Sequence, residues 1–271
     1  MTTFQQKLDV IIKKNNSLVC VGLDSDFDKL PAHIKHQKNP QFEFNRAIID
    51  QTYDLVCAYK PNSAFYEARG ADGIKDLKLT CDYLKQKYPH VPIILDAKRA
   101  DIGSTNKGYA QFAFDYLQVD AITLHVYLGE EALRPFLDRK DKGCIILCRT
   151  SNPGAGELQD LTFDSGNQTI KLYQIIAKNV IERWNKNKNC LLVVGATYPQ
   201  ELAEIRQIVG DMTMLIPGIG AQGGDIAKTV KVGLNSKGTG MIINSSRGII
   251  FADDPKEATL TLRDKINYYR N

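Results

Sequence analysis

Residues 91–137 read VPIILDAKRADIGSTNKGYAQFAFDYLQVDAITLHVYLGEEALRPFL, and this stretch decides the fold. An apolar run, Val91 to Leu95, ends in charged residues, and a segment of helical periodicity follows from Thr105 to Leu117. A second apolar run, Ala121 to Val126, then leads into a short helical segment, Gly129 to Leu137. Runs rich in Val, Ile and Leu with little polar alternation belong to strands buried on both faces. Strand then helix, twice in succession, is the repeat of a parallel sheet with helices packed outside it.

The same alternation extends both ways. Further strands are expected at Leu18 to Leu23, Leu55 to Tyr59, Cys144 to Cys148, Cys190 to Val194, Thr213 to Ile216 and Met241 to Ile243. Helices are expected at Phe42 to Tyr53, Gly73 to Tyr88, Gln168 to Asn185, Pro199 to Val209, Gly224 to Val232 and Pro255 to Tyr269. Pro199 and Pro255 stand where a first-turn proline is tolerated. Eight strand–helix units without a linker or a composition break predict an α/β fold, a single-domain (β/α)8 TIM barrel over residues 1–271. A doubly wound open sheet is the alternative. Residues 152–166 carry three glycines and little periodicity, and a connection of that length reads as a lid or binding loop.

Composition narrows the class. The 271 residues are 43% apolar and 24% charged, with a net charge of +4, which excludes global disorder and offers no basic stripe for nucleic acid. No apolar run approaches the ~18 residues of a membrane span. The opening segment MTTFQQKLDVIIKK is amphipathic, with Phe4, Leu8, Ile11 and Ile12 at helical spacing, and lacks the apolar core of a signal peptide, so a cytoplasmic location is expected. Six cysteines without paired spacing read as buried, reduced thiols.

In a barrel the chemistry sits at the carboxyl ends of the strands. The third strand ends Asp96-Ala97-Lys98-Arg99-Ala100-Asp101. Alternation would put Asp96 and Lys98 on one face, with Asp101 brought back beside the lysine. Two carboxylates would hold that ammonium protonated, making it a proton donor rather than a Schiff-base nucleophile. Asp24 ends the first strand and is suited to accept from sugar hydroxyls; Lys60 ends the second. The acidic run Asp24-Ser25-Asp26-Phe27-Asp28 imitates a calcium loop but has Lys29 at the sixth position and Lys35 at the twelfth. Arg149-Thr150-Ser151-Asn152 is a polar cluster able to read a planar heterocycle. Gly218, Gly220 and Gly223 match GxGxxG by letter, but only one strand follows and it ends without an acid for a ribose. A glycine-rich loop after strand seven, with Arg247 and Gly248 after strand eight, instead points to the phosphate site common in barrels. No metal-ligand cluster is present in the sequence, and His125 reads as a packed or rim residue.

The run Leu95-Asp96-Ala97-Lys98-Arg99-Ala100-Asp101-Ile102-Gly103-Ser104-Thr105 resembles the signature of the orotidine 5′-phosphate decarboxylase family, in its longer subfamily with a DAKR-x-DIG-x-T pattern. The resemblance extends over the chain through Leu23-Asp24, Lys60, Thr150-Ser151-Asn152, the Pro217 to Gly223 loop and Asn244 to Gly248. It implies a barrel that converts orotidine 5′-monophosphate to UMP, the last step of de novo pyrimidine nucleotide synthesis, without metal or organic cofactor. It implies Lys98 as proton donor to C6, with Asp96 beside it. It implies a homodimer in which Asp101 and Thr105 serve the partner's site. Asp24 and Lys60 would contact the ribose, Ser151 and Asn152 the base, and Gly220, Gln222, Gly223, Arg247 and Gly248 the phosphate. Competing readings are a Mg²⁺-dependent sugar-phosphate aldolase or decarboxylase on the same barrel, a Schiff-base aldolase using Lys98, and a nucleotide-binding barrel without activity.

Overall fold

A computed structural model describes residues 2–166, 168–219 and 224–270. Eight strands form one sheet: β1 (Val19–Val21), β2 (Ala58–Tyr59), β3 (Ile94–Arg99), β4 (Ala121–Leu124), β5 (Gly143–Arg149), β6 (Cys190–Val194), β7 (Met214–Ile216) and β8 (Met241–Ser245). Their hydrogen-bonded order runs β2-β1-β8-β7-β6-β5-β4-β3, and every pair is parallel. An open sheet would stop at β2 and β3. Here those strands meet, through parallel bridges at Tyr59↔Ile93 and Asn62↔Asp96. The Tyr59 amide donates to Pro92 O at 3.0 Å and the Asp96 amide to Pro61 O at 2.9 Å. The sheet is therefore a barrel, and the doubly wound alternative is overturned by that seam.

Burial on both faces explains the strand composition. β1, β2, β4, β6 and β7 are buried along their whole length. The amphipathic opening segment forms the helix Phe4–Asn15, begun by a capping box between Thr3 and Gln6 and ended by Asn16 in the left-handed conformation. It buries Phe4, Leu8, Ile11 and Ile12 across the amino ends of the strands. There Gln5 accepts from Thr213 before β7, and Lys7 pairs with Asp120 before β4. All six cysteines are free and buried, and burial pushes the thiols of Cys20, Cys81 and Cys190 up to about 12.

Three boundaries differ from the sequence reading. β3 runs on to Arg99, past the expected end at Leu95. The helix expected from Gln168 starts at Leu172, because Gln168–Lys171 pairs antiparallel with Thr162–Ser165. The intervening turn contains Gly166 at φ +65°, a conformation glycine adopts without strain, and Thr169 and Ile170 favour strand over helix. The 152–166 segment, expected to be irregular, holds a tight turn at Pro153–Ala155, one helical turn at Gly156–Gln159 and the first strand of that hairpin.

At the amino end of the barrel one side chain fastens two successive strand–helix units. Arg206 donates to the carbonyls of Gly233 (3.0 and 2.6 Å), Gly240 (2.9 Å), Met212 (2.7 Å) and Gly210 (2.5 Å). Carbonyls left without a donor in a closed turn lose stability. We expect Arg206→Met to destabilise the fold by about 3 kcal/mol, read as a lower urea midpoint at unchanged slope. A midpoint equal to wild type would show that water replaces the guanidinium at no cost.

Candidate active site

The carboxyl ends of the strands open on a cleft of about 390 Å³. Its charged half comes from three adjacent strands: Asp24 follows β1, Lys60 follows β2, and Asp96 and Lys98 lie on β3. Its apolar half comes from the opposite wall, with Leu147 on β5, Val193 on β6 and Leu215 on β7. Thr123 of β4 stands at the border. A wider groove of about 840 Å³ lies at the other end, where Lys13, Lys188, Lys237 and Arg270 face Asp9 and Asp211. In a barrel the chemistry sits at the carboxyl ends of the strands, and strand-end charges facing an apolar wall can do it.

The charges form a chain. Lys60 Nζ lies 4.0 Å from Asp24 Oδ1 and 2.7 Å from Asp96 Oδ2, and Lys98 Nζ lies 2.6 Å from Asp96 Oδ1. The side chains of Lys60 and Asp96 are only 4% and 11% exposed, whereas that of Lys98 is 49% exposed and opens into the cleft. Burial alone would push Asp96 up, but the ammonium groups of Lys60 and Lys98 hold its carboxyl well below the usual range. Burial likewise works against the charged form of Lys60, and Asp96 and then Asp24 outweigh it, holding that lysine above its ordinary value. Lys60 thus lines the cleft as an interior member of the charge array, between Asp24 and Asp96.

Asp96 and Lys98 come together by a route that plain alternation does not describe. β3 pairs with β4 at Leu95↔Ile122 and next at Arg99↔Leu124, so β3 carries extra chain between those points. The slack is taken up near Lys98, whose φ is +47°. A non-glycine residue there costs roughly 1–2 kcal/mol and needs support from its surroundings. A bulge of this kind re-aims a side chain.

Asp101 is not brought beside Lys98. Its carboxylate accepts the Ile102 amide at 2.7 Å, its own amide donates to Asn106 at 2.8 Å, and Thr105 is exposed. Neither lines the cleft of its own chain. The segment that bears them packs on the chain after β4, where His125 Nε2 lies 3.0 Å from Ala100 O. Ile102, Tyr127 and Leu128 are exposed on the same face at 60%, 87% and 45%.

Of the remaining predicted residues, Ser151, Asn152, Arg247 and Gly248 line the cleft. Two buried acceptors, Asp24 Oδ1 and Asn244 Oδ1, have no hydrogen-bond partner among the described residues. Ser151 and Asn152 line the opening, where Gly195 lets the chain pass: a Cβ there would lie 2.7 Å from that of Ser151. Arg149, buried at the end of β5, ties down the following segment. It donates to Gln159 (3.3 Å) and Asp160 (3.2 Å), and its guanidinium lies 4.2 Å from the Tyr198 ring centroid. Arg247 and Gly248 line the cleft and are exposed. Gly220, Gln222 and Gly223 lie outside the described residues. Their loop is pinched at its base, where the Gly224 amide donates to Gly218 O at 3.1 Å and Gly218 has φ +99°. Sequence reasoning missed Thr123, because one hydroxyl within an apolar strand carries no motif; Asn244 enters it only as part of the Asn244 to Gly248 run, with no role of its own.

Comparison with known proteins agrees with this geometry. Residues 17–262 match the profile described as Orotidine 5'-phosphate decarboxylase / HUMPS family. An Orotidine 5'-phosphate decarboxylase of Cellvibrio japonicus is 49% identical, with 99% of each chain covered, and one from a Janthinobacterium species is 47% identical over 98% of this chain and 99% of its own. Among solved structures, an OMP decarboxylase of Leishmania donovani superposes with a TM-score of 0.87 at 37% identity, covering 99% of both chains. The UMP synthase of the same organism gives 0.89 at 39% identity, covering all of this chain and 57% of its own. Matched nearly end to end by these relatives, the chain belongs to the orotidine 5′-phosphate decarboxylase family.

Proposed function

We propose that this chain decarboxylates orotidine 5′-monophosphate to UMP and CO₂, the last step of de novo pyrimidine nucleotide synthesis, with Lys98 as proton donor. The observation that carries the reading is the Asp24–Lys60–Asp96–Lys98 array, with one ammonium open to a cleft whose far wall is apolar. When the bond between C6 and the carboxylate breaks, its electron pair stays on C6. A fixed ammonium in a site of low dielectric stabilises that charge as it develops. Lys98 Nζ then gives C6 a proton, and the neutral amine takes one back from solvent. Asp96 holds the ammonium in place before substrate arrives and lies where the departing carboxylate would feel its charge.

The unpartnered acceptors Asp24 Oδ1 and Asn244 Oδ1 suit the ribose hydroxyls, and Ser151 and Asn152 the edge of the base. Arg247 and Gly248, with Gly220, Gln222 and Gly223, form the phosphate grip. The uninterrupted run Leu95 to Thr105 supports membership of the longer subfamily of the family. The magnesium-dependent aldolase reading fits the side chains poorly, because a divalent cation between Asp24 and Asp96 would lie against the Lys60 ammonium. The enzyme acts as a cytoplasmic homodimer on this reading: Asp101 and Thr105 are absent from the lining of their own cleft, and Ile102, Tyr127 and Leu128 are exposed, which supports Asp101 and Thr105 serving the partner's cleft.

Three measurements test this reading. Purified protein in EDTA should consume orotidine 5′-monophosphate, followed by ultraviolet absorbance, and Lys98→Ala should lower kcat by more than about a thousandfold. No loss of absorbance with wild type would discard the assignment. Arg247→Ala should raise KM by roughly tenfold to a hundredfold, as expected for a lost charged hydrogen-bonding group; an unchanged KM removes Arg247 from the phosphate grip. Lys98→Ala and Asp101→Asn, each inactive alone, should on mixing regain roughly a quarter of wild-type activity, since half the dimers are mixed and each has one intact site of two. No recovery after subunit exchange would place both residues in one chain's site.

A further inference from the structure

We propose that Thr123 is a positioning residue for the reaction: its hydroxyl holds the bulged backbone of Lys98 and the carboxylate of Asp96 in one register, and so fixes where the Lys98 ammonium points. The kinetic part of this proposal rests on the decarboxylase reading above.

β4 is Ala-Ile-Thr-Leu, and Thr123 is its one hydroxyl, 1% exposed. A buried hydroxyl is costly unless its donor and acceptor are both used. Thr123 uses both inside the site. Its Oγ1 accepts the Lys98 amide at 3.0 Å and donates to Asp96 Oδ1 at 2.9 Å. The same Oδ1 accepts from Lys98 Nζ at 2.6 Å. The three bonds close a ring from the Lys98 amide through the hydroxyl and the carboxylate to the Lys98 ammonium. Both the backbone and the head group of Lys98 are thereby referred to the same pair of side chains. The direction of each bond is fixed as well. An amide can only donate, so the hydroxyl must accept there and spends its own proton on Asp96.

The bulge creates the need for this ring. Paired residues of β3 and β4 skip from Leu95 to Arg99, so the Lys98 amide has no ladder carbonyl, and the Thr123 hydroxyl stands in for one. Lys98 also sits at φ +47°, a conformation that a lysine keeps only under restraint. Lys60 is held by burial between two carboxylates, whereas the Lys98 side chain is half-exposed and depends on its backbone and on Asp96 for its aim. Displacement of a preorganised charge by a fraction of an ångström is felt in turnover more than in binding.

Thr123→Val keeps the shape and removes the hydroxyl; Thr123→Ser keeps the hydroxyl. Two readouts are taken together: steady-state kinetics with orotidine 5′-monophosphate, and hydrogen exchange of the Lys98 backbone amide by NMR. Thr123→Val should lower kcat at least about tenfold with KM within about threefold, and Thr123→Ser should return kcat to within about threefold of wild type. The Lys98 amide should exchange at least about tenfold faster in Thr123→Val and be protected in Thr123→Ser, with Leu95 unchanged in both. Thr123→Ala supplies the hydroxyl-free protein if the valine variant does not fold. Wild-type kcat without the hydroxyl, failure of serine to rescue, or unchanged Lys98 protection overturns the proposal. If the wild type itself shows no turnover, the decarboxylase reading falls, and the exchange rates alone still decide whether Thr123 holds Lys98.

Discussion

Asp96 is shared between two ammonium groups, and it is also the residue at which the barrel closes. Its amide donates across the last seam to Pro61 O, one residue after Lys60, while its carboxylate binds Lys60 and Lys98. Closure of the sheet and assembly of the charges are therefore one event. Bringing β2 against β3 carries Lys60 to Asp96, and without that contact each charge would be buried alone. An unpaired buried charge costs several kcal/mol, so the pairing selects the closed arrangement over any open one that keeps these charges inside.

The same carboxylate explains why β3 is irregular. A plain strand would give Lys98 a ladder bond and a relaxed backbone. The observed chain leaves register between Leu95 and Arg99 and places Lys98 in the left-handed region. Strain of roughly 1–3 kcal/mol at one residue is affordable when a short, charge-assisted bond depends on it. Lys98 Nζ lies 2.6 Å from Asp96 Oδ1 while the side chain stays open to the cleft. Bulge, bond and exposure together present a proton at the mouth of an apolar-walled site.

Much of this was legible in the sequence, and the failures have identifiable causes. The eight apolar runs announced their strands because both faces of every strand are covered, and Asp96 and Lys98 were legible because charges at the end of an apolar run must be explained. The bulge was not legible, since alternation assumes an unbroken ladder. The pairing of Lys60 with Asp96 was not legible, because a Lys-Pro-Asn turn reads the same whether the ammonium faces solvent or a carboxylate on the neighbouring strand. The hairpin at Thr162–Ser165 and Gln168–Lys171 was missed because short paired strands outside the core lack an apolar face to mark them. Thr123 was invisible for the opposite reason: its meaning lies entirely in what β3 does beside it.

The array also shows what this barrel gives up for function. An apolar side chain of similar volume at Lys60 and Asp96 would fill the top of the core without desolvating two charges, and replacements of that kind are often neutral or stabilising. The barrel instead keeps a carboxylate whose both oxygens are engaged and a second one, on Asp24, with an oxygen that has an ion-pair partner at 4.0 Å but no hydrogen bond. Unpaired acceptors and a half-exposed ammonium are unfavourable in a protein considered alone. On the function proposed above, donors of a bound sugar and a developing carbanion would complete them. Binding and chemistry would then supply the interactions that folding leaves unmade, at the atoms where stabilisation of a transition state is most effective.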